Sequence, residues 1–122
     1  MKKQILVVDD DLTISKLIDF ILSKDYDIVV KENGADAIEW LEEGNDPALI
    51  ISDLEMPYID GATFIRNLRT SDFYSKTPIF LISGADNLEG LVEEIPLQVD
   101  CFFKKPFNHA DLKSSVTAFL TE

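Results

Sequence analysis

The stretch ILVVDDDLT, residues 5–13, contains the feature on which the fold depends. Four apolar residues run directly into Asp9, Asp10 and Asp11. The apolar run is too short for a helix and is rich in Ile, Leu and Val, so it predicts a buried strand over residues 4–8. Carboxylates at close range repel one another unless a cation offsets their charge. The stretch therefore predicts a strand with a charged site at its carboxyl end.

Length, composition and charge limit what the chain can be. Its 122 residues suit one domain over residues 1–122, and 46% hydrophobic with 28% charged residues is typical of a globular chain. The net charge of −12 argues against direct binding to nucleic acid or to an anionic membrane. We expect a cytoplasmic protein, because we find neither an apolar run of about 20 residues nor a signal-peptide pattern. The single cysteine, Cys101, fits a reducing compartment.

Strand-like and helix-like segments alternate along the chain. Short apolar runs predict strands over residues 4–8, 27–31, 49–52, 77–83 and 99–104. Amphipathic segments predict helices over residues 14–22, 35–42, 62–69 and 88–95, and a last helix after an N-cap at Asn108. The inner face of that last helix is expected to contain Leu112, Val116, Phe119 and Leu120. Strands separated by helices pair in parallel, so the pattern predicts an α/β fold with a doubly wound, five-stranded parallel sheet.

Polar residues stand at the carboxyl ends of four predicted strands, the edge at which open α/β sheets bind ligands. They are Asp9, Asp10 and Asp11 after the first strand, Asp53 after the third, Ser83 at the end of the fourth, and Lys104 and Lys105 after the fifth. Clustered carboxylates need a cation, and hard oxygen ligands suit Mg²⁺. A magnesium ion beside a carboxylate nucleophile, with a lysine and a hydroxyl nearby, suits phosphoryl transfer to an aspartate.

Four motifs in this order resemble the receiver domain of two-component response regulators, especially stand-alone members such as the chemotaxis response regulator. They are VVDDD at residues 7–11, SDLEMPYIDG at 52–61, LISG at 81–84 and KKPF at 104–107. The resemblance covers essentially the whole chain. It implies the (βα)5 flavodoxin-like receiver fold with strand order 2-1-3-4-5. It also implies a phosphorelay function, with no catalysis beyond the chain's own phosphorylation and slow autodephosphorylation.

The resemblance assigns the phosphoryl chemistry to particular residues. Asp53 would accept the phosphoryl group from the phosphohistidine of a histidine kinase or phosphotransfer protein. Asp10 would bind Mg²⁺ directly and Asp9 mainly through water, with Asp53 and the backbone carbonyl of Glu55 completing the protein's share of the coordination. Lys105, which precedes a proline that is often cis in the family, would pair with the phosphoryl group.

The resemblance also implies a conformational switch. The hydroxyl of Ser83 would follow the phosphoryl group, and Phe102 would be the aromatic side chain that swings inward. The surface formed by the helix over residues 88–95, the fifth strand and the last helix would then change shape. That change would control a downstream partner protein or an output domain.

Three residues at this edge carry separate expectations. Asp11 directly precedes a helix, so we expect its carboxylate to act as the N-cap. Gly84 stands where alanine is more usual in the family, and its small size would leave more room for the phosphoryl group or for water. The side chain of Glu55 is close enough in sequence to Asp53 to alter the lifetime of the acyl phosphate, which we state as a hypothesis.

Two other functions compete with this interpretation. Asp9-x-Asp11-x-Thr13 also matches the nucleophile motif of haloacid-dehalogenase-type phosphatases, in which Asp9 would be the nucleophile and Asp11 the general acid. The chain is short for that fold, and the hypothesis gives Asp53 no function. The second alternative is a receiver-like interaction module that does not use phosphorylation.

Overall fold

The computed structural model describes residues 2–54, 60–84 and 99–121. In these residues the elements are β1 (Lys3–Val8), α1 (Leu12–Leu22), β2 (Tyr26–Lys31), α2 (Gly34–Glu42), β3 (Leu49–Asp53), α3 (Gly61–Arg69), β4 (Ile79–Ser83), β5 (Cys101–Lys104) and α4 (His109–Leu120). The helix predicted over residues 88–95 and the position of Glu55 lie outside the described residues. None of the helices in the described ranges is long and apolar enough to cross a membrane.

The five strands form one parallel sheet in the order β2-β1-β3-β4-β5. This result confirms the predicted α/β class and the strand order 2-1-3-4-5. β4 begins at Ile79 and β5 at Cys101, later than the apolar runs indicated. The residues before Ile79 and Cys101 are held by hydrogen bonds that lie outside the paired strands. One of them joins the Asp100 N–H to the Ile79 carbonyl (2.8 Å).

The sheet separates two apolar clusters. Leu6 and Val8 of β1 pack in the cluster beneath α2 and α3, whereas Ile5 and Val7 pack in the cluster beneath α1 and α4. Successive side chains of a strand point to opposite faces, and both faces of the central strands are covered by helices. The continuous apolar runs of β1, β3 and β4 are explained by this two-sided burial. By the same alternation, Asp9 follows on the face of Val7, which is the α1 side.

The helices begin at side-chain caps that the sequence indicates. The side-chain oxygens of Asp11, Asn33, Asp60 and Asn108 each accept a hydrogen bond from a backbone N–H in the first turn of a helix. These four residues therefore mark where α1, α2, α3 and α4 start. The caps predicted at Asp11 and Asn108 are confirmed.

The inner face of α4 differs from the prediction at one residue. Leu112, Val116 and Leu120 are buried, whereas Phe119 is 40% exposed and lies at the edge of this face. Phe119 lies at the border of the apolar stripe, where its ring packs edge-on against Phe80 with ring centroids 5.1 Å apart. It covers the core rather than filling it.

Candidate functional site

Asp9 and Asp53 lie side by side at the carboxyl edge of the sheet. Val8 is the register partner of Ser52, so the residues that follow, Asp9 and Asp53, are level with each other. Both carboxylates are buried, with exposed fractions of 2% and 6%. The backbone N–H of Asp11 donates to Oδ1 of Asp9 (2.9 Å), which fixes the orientation of that carboxylate. Two buried carboxylates in this arrangement require positive charge.

Lys105 supplies that positive charge. Its Nζ lies 3.1 Å from Oδ2 of Asp9 and 3.4 Å from Oδ2 of Asp53, and its side chain is 20% exposed. Burial alone lowers the pKa of Lys105, but the hydrogen bond to Asp9 and the charges of Asp53 and Asp9 outweigh it and raise the pKa. Lys105 is therefore a cation that neutralises part of the charge of both carboxylates.

Asp10 completes a group of three carboxylates. One carboxylate oxygen from each of Asp9, Asp10 and Asp53 lies within 4.8 Å of the other two. Opposite ligands of an octahedral Mg²⁺ are about 4.2 Å apart, twice the metal–oxygen distance of about 2.1 Å. Small side-chain movements or an intervening water thus suffice to bring these oxygens to one ion. Asp10 is exposed, which leaves room for the waters that Mg²⁺ retains. The donor set fits a hard divalent cation.

Ser83 and Lys105 are joined through the backbone. Ser83 ends β4 with no exposed surface, and its carbonyl accepts a hydrogen bond from the backbone N–H of Lys105 (2.8 Å). The Lys105–Pro106 peptide bond is cis. Ser83 lies one residue past Ile82, which is the register partner of Asp53. The ends of β3, β4 and β5 thus place Asp53, Ser83 and Lys105 at one edge, as the sequence predicted.

Phe102 lies on the opposite face of β5 from the core side chains Cys101 and Phe103. Those two pack in the cluster beneath α1 and α4, whereas Phe102 is 41% exposed. Successive side chains of a strand point to opposite faces of the sheet, so Phe102 points away from its two neighbours. The structure therefore shows Phe102 in an outward orientation.

The Asp11 carboxylate is bound to the start of α1 and not to Asp9. Oδ1 of Asp11 accepts hydrogen bonds from the backbone N–H groups of Thr13 (2.9 Å) and Ile14 (3.4 Å). The phosphatase hypothesis required this carboxylate as a general acid, and the structure instead shows it occupied as a helix cap.

Backbone contacts around Asp53 were not predicted. Gly61 donates its N–H to the Leu54 carbonyl (2.8 Å), and a Cβ at Gly61 would lie 2.3 Å from the Asp53 carbonyl oxygen. The Ser52 hydroxyl donates to that same carbonyl oxygen (2.9 Å). The Asp60-Gly61 pair, which follows Asp53 by seven and eight residues, is the only sequence signal for this close approach. Residues 52, 54 and 61 thus hold the backbone that positions Asp53.

Ser15 is a second buried polar residue that sequence reasoning missed. It is 2% exposed on the inner face of α1, and its hydroxyl lies 3.4 Å from the Asp9 carbonyl, to which it donates. The helical spacing of Ile18 and Leu22 includes position 15, which is the signal that could have identified it. Ser15 links α1 to the backbone of Asp9, directly after β1.

Comparison with known proteins identifies the family to which the chain belongs. A family model described as "Response regulator receiver domain" matches residues 5–117. The chain belongs to this family, the receiver domains of two-component response regulators. Receiver domains are signalling domains that act with histidine kinases and output domains, and phosphorylation of an aspartate with Mg²⁺ is a general feature of the family.

Individual relatives agree with this result. The chain is 35% identical over 115 residues to the transcriptional regulatory protein FlgR of Helicobacter pylori, covering 93% of this chain and 28% of FlgR. It is 31% identical over 121 residues to the alkaline phosphatase synthesis transcriptional regulatory protein PhoP of Bacillus subtilis, covering 98% of this chain and 49% of PhoP. The chain thus spans half or less of the length of these two relatives.

Solved structures show the same fold. The chemotaxis response regulator CheY4 of Vibrio cholerae superposes with a TM-score of 0.88 at 25% identity, covering 98% of this chain and 100% of CheY4. The signal receiver domain of a signal transduction histidine kinase from Syntrophus aciditrophicus gives a TM-score of 0.89 at 29% identity, covering 98% of this chain and 90% of that one. Receiver domains with this fold therefore occur both alone and inside larger proteins.

Proposed function

We propose that Asp53 is the phosphoacceptor and that its phosphorylation by a histidine kinase or phosphotransfer protein requires Mg²⁺. The observation that carries this proposal is the position of Lys105 Nζ between Asp53 (3.4 Å) and Asp9 (3.1 Å) beside a third carboxylate. A carboxylate nucleophile, a cation for the phosphoryl oxygens and an acidic metal site are the parts that phosphoryl transfer needs.

The proposed step transfers one phosphoryl group. An oxygen of Asp53 attacks phosphorus, the P–N bond to the histidine breaks, and the imidazole leaves with the electron pair and takes up a proton. The new P–O bond makes an acyl phosphate on Asp53. Lys105 pairs with a phosphoryl oxygen, and Ser83 donates its hydroxyl hydrogen to another. Asp9, Asp10, Asp53 and the backbone carbonyl of Glu55 would hold Mg²⁺, which supplies charge neutralisation when bound.

We propose that phosphorylation changes the shape of a surface that a partner binds. In this proposal Ser83 and Phe102 move when Asp53 is phosphorylated, and the surface formed by residues 88–95, β5 and α4 changes for a downstream protein or an output domain. The outward position of Phe102 supports it, since the proposed switch needs a ring that starts outside the core. We take residues 1–122 as one receiver domain that acts in the cytoplasm.

Acetyl phosphate with Mg²⁺ tests the acceptor. We expect intact-mass spectrometry to show one added phosphoryl group on the wild type and none on Asp53→Asn. The matched control is Asp27→Asn, which removes an exposed carboxylate of β2 and should be phosphorylated like the wild type. An unchanged mass of the wild type, or phosphorylation of Asp53→Asn at the wild-type level, would refute the assignment.

Phosphate esters, tested beside acetyl phosphate, distinguish the two alternatives. A phosphatase would release phosphate repeatedly from phosphate esters and would lose that turnover in Asp9→Asn. A receiver-like module without phosphorylation would show no acyl phosphate under any of these conditions.

A further inference from the structure

A groove lies between the C-terminal halves of α2 and α3, away from the phosphorylation site. Its volume is about 290 Å³, and it is lined by Ile38, Leu41, Glu42, Asn67, Leu68, Ser71 and Tyr74. Each helix of an α/β unit runs back along the sheet, so the C-terminal ends of α2 and α3 lie at the edge opposite to Asp53. The groove shares no residue with the site described above.

The apolar residues of the groove are fixed by packing on the core and by hydrogen bonds of Tyr74. Leu41 and Leu68 are 3% and 4% exposed and form part of the core cluster, with Ile38 and Tyr74 packed against it. The Tyr74 hydroxyl lies 2.8 Å from the Leu41 carbonyl and 2.7 Å from the Asn45 carbonyl, which fastens the segment after α3 to the end of α2. Phe73 extends the apolar surface, because its ring is 67% exposed and lies 4.9 Å from the Tyr74 ring.

The α2 side of the groove is strongly acidic. Residues 32–46 contain no lysine, arginine or histidine, and their acidic residues are Glu32, Asp36, Glu39, Glu42, Glu43 and Asp46. All six are exposed. The last turn of α2 has no basic residue, although a helix C-terminus carries negative partial charge. In contrast, α3 ends with Arg66 and Arg69.

This charge arrangement is unfavourable for the isolated domain. Glu39 and Glu43 are four residues apart, a spacing at which like charges on a helix repel. Glu42 and Glu43 also face the negative end of the α2 dipole. A basic partner would relieve both effects, whereas an acidic or neutral partner would relieve neither.

We propose that the groove between α2 and α3 is a docking site for a basic amphipathic helix of a partner protein. Its apolar side chains would pack on Ile38, Leu41 and Leu68, and its lysines or arginines would pair with Glu42 and Glu43. This is the helix-in-groove mode of recognition, in which an apolar stripe gives affinity and flanking charges select the partner.

A designed peptide tests the proposal on the full chain. The probe is a synthetic helical peptide with Leu at i, i+3, i+4 and i+7 and Lys at the other positions, and NMR shift changes of the ¹⁵N-labelled protein report binding. We expect the largest changes at Ile38, Leu41, Leu68 and Tyr74. A peptide of the same composition in scrambled order should bind at least about tenfold more weakly, because it has no apolar stripe.

Matched variants separate docking from net charge. The double variant Glu42→Lys/Glu43→Lys should weaken binding about tenfold, since it replaces two attractive pairs with repulsion. Asp19→Lys/Asp25→Lys makes the same charge change at exposed positions on and after α1, and should change binding less than about twofold. Phe73→Ser, at an exposed ring, should weaken binding about threefold without unfolding the domain.

Several outcomes would overturn the proposal. If both double variants weakened peptide binding equally, the effect would be one of net charge and not of docking in the groove. If the scrambled peptide bound as tightly as the amphipathic one, binding would not depend on an apolar stripe that fits the groove. Concentration-dependent shift changes at the groove without peptide would assign it to a second copy of the chain. Acetyl phosphate should phosphorylate Glu42→Lys/Glu43→Lys like the wild type, so this test is independent of the phosphoacceptor assignment.

Discussion

At the scale of single residues, Lys105 offsets the charge repulsion between Asp9 and Asp53. Asp9 and Asp53 are buried, and each would be costly as an isolated anion. The ammonium group lies within salt-bridge distance of both, while Asp11 is directed away to the start of α1. The three consecutive aspartates therefore differ in their surroundings. Asp9 pairs with Lys105, Asp11 caps α1, and Asp10 is exposed.

Removal of the Lys105 charge should destabilise the domain. We expect Lys105→Gln to lower the free energy of unfolding at neutral pH by about 1–3 kcal/mol, because it leaves two buried carboxylates without their cation. Urea denaturation without Mg²⁺ is the measurement. Lys104→Gln, at the exposed neighbouring position, is the control and should change stability by less than about 0.5 kcal/mol. Equal effects of the two variants would contradict the ion-pair argument.

Gly61 should not tolerate a side chain. A Cβ there would lie 2.3 Å from the Asp53 carbonyl oxygen and 2.6 Å from the Leu54 Cα, both of them backbone atoms that cannot rotate away. We expect Gly61→Ala to cost about 1–3 kcal/mol in thermal or urea unfolding and to slow phosphorylation by acetyl phosphate.

Gly84→Ala is the matched control for stability. In the described part of the chain, nothing lies within 4 Å of a Cβ built at Gly84. Its unfolding free energy should therefore stay within about 0.5 kcal/mol of the wild type. The open space also agrees with the expectation that glycine leaves room at the end of β4. A larger loss of stability in Gly84→Ala than in Gly61→Ala would contradict the predictions for both glycines.

At the scale of elements, the start of α3 connects a helix cap to the end of β3, which contains Asp53. Oδ1 of Asp60 accepts a hydrogen bond from the Thr63 N–H (2.7 Å), and Gly61 follows directly with its contact to Asp53. That hydrogen bond holds the pKa of Asp60 below its ordinary value of 3.8. The cap thus fixes the register in which α3 meets the end of β3.

The depressed pKa of Asp60 predicts a pH dependence. The folded-state pKa is lower than the unfolded value, so the cap contributes its full stability above the unfolded pKa near 3.8 and loses it as the pH falls through the folded pKa. At pH 7, Asp60→Ala should cost about 1 kcal/mol, whereas Asp60→Asn should cost a few tenths because asparagine also caps. Between about pH 2 and 4, the stability difference between wild type and Asp60→Asn should shrink. A difference that does not vary with pH would refute the explanation.

Another contact between elements joins the end of α3 to the start of β5. Arg69 donates from Nη1 to the Ser75 carbonyl (3.1 Å) and to the Thr77 carbonyl (2.7 Å), and its Nη2 lies 3.4 Å from Oδ2 of Asp100. The same Asp100 oxygen accepts the backbone N–H of Ile79 (2.8 Å). These bonds hold the segment before β4 and explain why β4 starts at Ile79.

At the scale of the whole molecule, metal binding and folding should be linked. At the proposed site, Mg²⁺ would bind to three carboxylates that come together only in the folded chain, so it would stabilise the native state. At a Mg²⁺ concentration ten times Kd, the wild type should gain about 1.4 kcal/mol in unfolding free energy. Asp10→Asn should lose most of this gain, and Asp27→Asn should keep it. The same gain in Asp10→Asn, or with NaCl at equal ionic strength, would exclude this site.

Much of the fold was predictable because its signals are local. The apolar runs of β1, β3 and β4, the helical spacing of α1 and the caps at Asp11 and Asn108 each depend on residues within about one or two turns. The placement of Asp9, Asp53 and Ser83 at one edge followed from parallel pairing. The exposure of Phe119 was not predictable, because periodicity does not show how far an apolar stripe extends around a helix.

The sequence by itself determined the alternation of strands and helices, the ends of the strands at which the polar residues stand, and the family to which their motifs point. Only the tertiary structure decided that Lys105 reaches both Asp9 and Asp53, that Gly61 lies against the backbone of Asp53, and that Tyr74 borders a groove beside acidic α2. The physical reason is distance along the chain. Caps and periodicity arise between neighbours, whereas these contacts join residues brought together by sheet register and helix packing, which no local pattern encodes.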